Sequence, residues 1–123
     1  MSTNIINLTT YPALVGSVMR HMRKARNISQ RDAAQYLGVK QPAYSRLESG
    51  GTVLSVTQLS RICEFFKITP SEFLEKVEFV KSSLIEKGVR VEHGQSYDIG
   101  KALINVLAGA ALGVLIAKLL SGD

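Results

Sequence analysis

Residues 29–50 read SQRDAAQYLGVKQPAYSRLESG. Ala33, Ala34, Leu37, Val39, Tyr44 and Leu47 recur at helical spacing on either side of Gly38. They can share one small core only if the chain reverses sharply at that glycine. The stretch therefore predicts two short helices joined by a tight turn. Ser29 is placed to cap the first with its hydroxyl, with Asp32 three residues on as a weak capping box. Gly38 ends it, because glycine enters a left-handed turn without a steric penalty. Pro42 is tolerated only in a first helical turn, so the second helix covers about Gln41 to Ser49 before Gly50 and Gly51 release the chain.

The same signals extend in both directions. Upstream, Leu14, Val15, Val18, Met22 and Ala25 mark one buried face of a helix over about Tyr11 to Ala25, and Arg20, Arg23, Lys24 and Arg26 mark a solvated one. Downstream, Ser55-Val56-Thr57-Gln58 is a capping box opening a fourth helix with Leu59, Ile62, Cys63 and Phe66 inward. Thr69-Pro70-Ser71-Glu72 opens a fifth, with Phe73, Leu74 and Val77 inward, that can run to Glu86. No stretch shows convincing strand alternation. The expected fold is all-α: a five-helix domain over 1–86, a polar connector over 87–98, and a hydrophobic helix over 99–123.

A chain of 123 residues has room for one modest core and an appendage. Fifteen Lys and Arg against ten Asp and Glu give a net charge of +5 and a pI near 9.6. The excess is concentrated early, with ten basic and six acidic residues over 1–79 against five and four over 80–123. Such a balance suits a polyanionic partner. Cys63 is the only cysteine, which excludes an intramolecular disulfide and a Cys-rich zinc site and fits a reducing compartment. The opening MSTNIINLTTYP has neither a basic start nor an apolar run, so a cytoplasmic location is expected. His21 and His93 have no partner at metal-ligand spacing, and nothing resembles a nucleophile-base pair or a phosphate-cradling glycine loop. Neither catalysis, a metal nor a cofactor is expected.

Once the two short helices have closed their core, Gln41, Ser45 and Arg46 remain on the outside of the second, with Pro42 and Ala43 near its start and Lys40 before it. A helix fits the major groove, where a glutamine amide pairs with adenine and an arginine fork with guanine, while Ala43 and the Pro42 ring can touch a thymine methyl. The first helix would then cross the sugar-phosphate backbone, with Gln30, Arg31 and Lys40 near phosphates. Glu48 is expected to support the turn, since a carboxylate there would repel phosphate. Tyr44 is expected to fill the core with its ring and to reach the surface with its hydroxyl.

Ser29-Gln30, Ala34, Gly38-Val39, Gln41-Pro42, Ser45-Arg46 and Glu48-Ser49-Gly50 together resemble the Cro/CI-type helix-turn-helix family of phage and bacterial repressors, also called Xre-like or lambda-repressor-like. The resemblance covers about residues 11 to 80. It implies a five-helix domain that binds operator DNA, usually as a dimer on a palindrome. It also implies base-reading positions at Gln41, Pro42 and Arg46 and a backbone contact at Gln30. Two positions depart from the family's pattern: Lys40, where Ser or Thr commonly caps the helix, and Tyr44, where a branched aliphatic is usual.

Residues 98–123 read DIGKALINVLAGAALGVLIAKLLSGD. As one helix from Ile99 to Leu120 the segment would span ~33 Å. Asn105, Gly109, Gly113 and Ala117 lie four apart, continuing a line that starts at Lys101, and would let a second helix approach closely. With Leu112 and Ile116 beside them, they are expected to assemble protomers. A membrane anchor is the rival reading, with Lys101 and Lys118 reaching the two interfaces. The expected function is a sequence-specific regulator that binds double-stranded DNA, a repressor acting as a dimer or larger oligomer on palindromic operators. The alternatives are an antitoxin-like module whose tail covers a toxin partner and whose DNA binding is autoregulatory, and a membrane-tethered DNA-binding protein.

Overall fold

The computed structural model describes residues 5–94 and 103–121. Among these, five helices stand where the capping signals place them: α1 (Tyr11–Ala25), α2 (Gln30–Leu37), α3 (Gln41–Ser49), α4 (Val56–Phe66) and α5 (Pro70–Glu86). Ser29 accepts from the Asp32 N–H at the start of α2, and Ser55 and Gln58 form a complete reciprocal box at the start of α4. Thr69 accepts from the Glu72 N–H to open α5. Lys40, at the start of α3, provides no side-chain cap, as its residue type requires. The helical fold stands as expected.

Three short strands accompany the helices. β1 (Ile5–Thr10) lies between β2 (Arg90–Glu92) and β3 (Leu103–Val106), parallel to both, with Leu8 opposite Arg90 on one side and Val106 on the other. The Leu107 N–H donates to the Leu8 carbonyl at 2.7 Å, and the Thr9 hydroxyl donates to the Leu107 carbonyl at 2.6 Å. Parallel strands need partners distant in sequence, so IINLTT, RVE and LINV carry no local hairpin signal. β2 accordingly falls inside the expected connector.

The C-terminal segment differs most from expectation. In place of one helix from Ile99, residues 103–106 are β3, and the last helix, α6, covers Gly109–Ser121. Short apolar runs cannot be assigned to helix or strand by periodicity alone, and pairing with β1 decides this one. α6 lies against α1 and α5. Leu112 and Ile116, expected to face a second protomer, are fully buried in the chain's own core. Their side chains are spent within the protomer. The side chain of Asn105 and the whole of Lys101 lie outside the described residues. No helix among the described residues is long and apolar enough to cross a membrane.

The core gathers Leu14, Val18, Tyr44, Ile62, Phe66 and Phe73, all at most 2 % exposed, with Val77, Val80 and Leu84 of α5 continuing it. Cys63 is buried in it, and burial pushes its thiol pKa up to about 11 from 9.0. Ala25 and Leu74, expected inward, are exposed, and Met19 is buried instead. α1 and α3 approach so closely that a side chain at Gly16 would drive into the carbonyl oxygens of Leu47 and Glu48. That contact fixes where α3 sits.

Candidate nucleic-acid interface

Gly38 takes φ +72° and ends α2, its N–H donating to the Gln35 carbonyl. Val39 then donates to the Ala34 carbonyl and packs on the core, so the chain has turned within three residues. α3 buries Tyr44, Leu47 and Glu48. Its opposite side presents Pro42, Arg46 and Ser49, all exposed, with Gln41 exposed at the N-terminal end and Ala43 and Ser45 half-buried on the flanks. Arg31 and Lys40 are exposed, and neither they nor Arg46 are paired with an acid among the described residues. Three cations with no acid partner thus border one outward helix.

Side chains behind this face form a connected polar series. Arg23 of α1 donates through Nε to Glu48 Oε2 at 2.6 Å and through a terminal nitrogen to Oε1 at 3.2 Å. Its other terminal nitrogen donates to the Ile28 carbonyl at 2.7 Å. Gln30 Nε2 donates to Glu48 Oε1 at 2.9 Å, and Gln41 Nε2 donates to Gln30 Oε1 at 2.8 Å. The buried ion pair therefore reaches the exposed amide of Gln41 through one intervening glutamine. Burial works against the charge on Arg23, but the hydrogen bond and the charge of Glu48 outweigh it and hold its pKa up. Bidentate geometry of this kind adds direction as well as attraction.

Two readings of the sequence are corrected here. Arg23, expected on a solvated face, is only 7 % exposed. Its partner lies 25 residues away, at Glu48, a carboxylate that can be buried only with a cation beside it. The Tyr44 hydroxyl does not reach the surface: it is buried without a hydrogen-bond partner. Burial raises its pKa far above the usual value, and the nearby Glu48 charge adds to the effect. Glu48 itself supports the turn, accepting from Arg23 and Gln30 while 3 % exposed.

Residues 19–73 match the helix-turn-helix family model. The matched segment, 55 of the 123 residues, carries the helix-turn-helix pattern. The match begins within α1 and ends in the first turn of α5. Among solved structures, the chain is similar to two crystal structures of the clp gene regulator ClgR from Corynebacterium glutamicum. The first has a TM-score of 0.60 at 18 % identity and covers 63 % of this chain and 82 % of that one. The second has a TM-score of 0.53 at 20 % identity and covers 55 % and 88 %. At these identities the likeness is one of fold. Comparison with curated protein sequences returns no match. Within the matched segment lie all the residues expected to meet DNA: Gln30, Arg31, Lys40, Gln41, Pro42, Ala43, Ser45 and Arg46.

Proposed function

We propose that the protein is a transcriptional regulator that reads double-stranded DNA with α3. The observation that carries this reading is the exposed ridge of Gln41, Pro42 and Arg46 beside two further unpaired cations, Arg31 and Lys40, within a helix-turn-helix segment. Arg46 is free to pair its fork with a guanine, and Gln41, steadied by Gln30, is presented to an adenine. Ala43 and Ser45, on the flanks, are near enough to the ridge to touch base edges at its margins. Gln30, Arg31 and Lys40 contact phosphates, which sets the register of α3 in the groove.

A single short helix meets few base pairs. Two copies about one turn of duplex apart, ~34 Å, read both halves of a palindrome, and occupancy of such a site near a promoter represses by exclusion. With Leu112 and Ile116 buried within the protomer, the contact between protomers lies on other surfaces. Repeated selection of bound duplexes from a randomised pool tests the reading. A palindromic consensus with guanine and adenine at defined positions is the expected outcome; a pool that stays random while binding remains salt-sensitive would leave only non-specific attraction and overturn it.

A further inference from the structure

A groove of about 270 Å³ runs between α1 and α6. It lies on a different face of α1 from the one that meets α3 through Gly16 and Arg23. Its α6 wall is small and apolar, made of Ala110, Gly113, Val114 and Ala117, and its α1 wall carries Ser17, Arg20, His21 and Lys24. Ser17 is 2 % exposed and lines the groove. A serine hydroxyl at the wall of such a groove can donate to a ligand oxygen. Arg20 and Lys24 are paired with no acid among the described residues. The charges of Lys76 and Arg26, after burial, hold the His21 pKa down, so the field at this wall is positive even with His21 neutral.

We propose that the groove binds a small amphiphilic carboxylate. The carboxylate lies between Arg20 and Lys24 and accepts from the Ser17 hydroxyl, and its hydrocarbon chain lies along Gly113 and Ala117. A planar carboxylate suits an arginine fork and a hydroxyl donor, and an apolar wall rewards burial of methylenes. The volume falls just below the usual range for drug-sized ligands and suits a chain of about six to eight carbons.

Calorimetric titration of the full chain, supported by amide NMR shifts, tests this with sodium hexanoate and octanoate against acetate, inorganic phosphate and hexylamine. Hexanoate and octanoate are expected to bind and to shift the amides of Ser17 and Gly113, with the other three far weaker. Arg20→Gln with Lys24→Gln should weaken hexanoate by about tenfold or more. Gly113→Leu should abolish binding: a Cβ there meets nothing within 4 Å, so a side chain can start at this position, and the further carbons of leucine would occupy the groove. Ala117→Leu, in the same wall, serves the same purpose should the first variant melt early. Absence of hexanoate and octanoate binding at millimolar concentration would overturn the proposal. So would equal binding of hexylamine or phosphate, or unchanged hexanoate affinity in a folded groove-filled variant.

Discussion

Glu48 ties the stability of the core to the placement of an exposed side chain on α3. Its carboxylate is buried, bridged twice by Arg23, and it also accepts from Gln30, which holds Gln41. Removing one partner of such a pair leaves a buried charge uncompensated, at a cost of about 3–5 kcal/mol. Glu48→Ala is therefore expected to lower the urea midpoint steeply, and replacing Arg23 and Glu48 together by Met and Leu should restore much of the loss. Equal losses in the single and double variants would show that the pair is not the cause. Tyr44 offers the converse test. Its buried hydroxyl has no partner, and desolvating such a group costs about 1–3 kcal/mol. Tyr44→Phe should thus raise the unfolding free energy, and a drop in the urea midpoint would contradict the geometry described. Glu48 was legible in the sequence as a support for the turn, because a carboxylate there would repel phosphate. Its cationic partner was not, because Arg23 sits in a run of basic residues that reads as solvated until the fold brings α3 against α1.

At the scale of elements, the contact between α1 and α3 is made by backbone. Because a Cβ at position 16 would collide with two carbonyl oxygens of α3, neither a rotamer change nor a flexible neighbour can relieve it. Gly16→Ala should push α3 away, with a loss of about 3 kcal/mol of stability and weaker DNA binding even where the variant remains folded; thermal melting beside a DNA titration measures both. Helix ends were legible because caps are local: Ser29, Ser55 and Thr69 each satisfy an N–H within three residues. The strands were not, since β1 pairs with segments more than eighty residues away. The start of α6 was hidden for the same reason, and a run of aliphatics long enough for one helix was divided between β3 and α6 by a partner at the other end of the chain.

For the whole molecule, the tail completes the core. Leu112 and Ile116 are each fully buried against it, and large-to-small changes at such sites cost about 2–5 kcal/mol. Ile116→Ala is expected to lower the melting temperature equally at low and high protein concentration. A shift in oligomer mass without a stability loss would return the residue to a protomer contact. Alkaline stability is also set by burial. The Cys63 thiol has a pKa near 9.0 when free and about 11 in the fold. Its contribution is complete below pH 9 and is lost as pH rises through about 11, because only the unfolded chain ionises in that window. Between those values the parent should lose more of its urea midpoint than Cys63→Ala does, and parallel losses would contradict the burial.

The most direct measurement of the central claim compares how the parent and two variants, Arg46→Ala and Lys40→Ala, bind a selected duplex and its single-base-pair substitutions over a series of salt concentrations. Arg46→Ala should flatten the preference at one base pair in each half-site by about 1–3 kcal/mol. Lys40→Ala should weaken all duplexes alike and reduce the salt slope by about one. Base preferences and salt slopes unchanged from the parent in both variants would show that α3 does not lie in the groove.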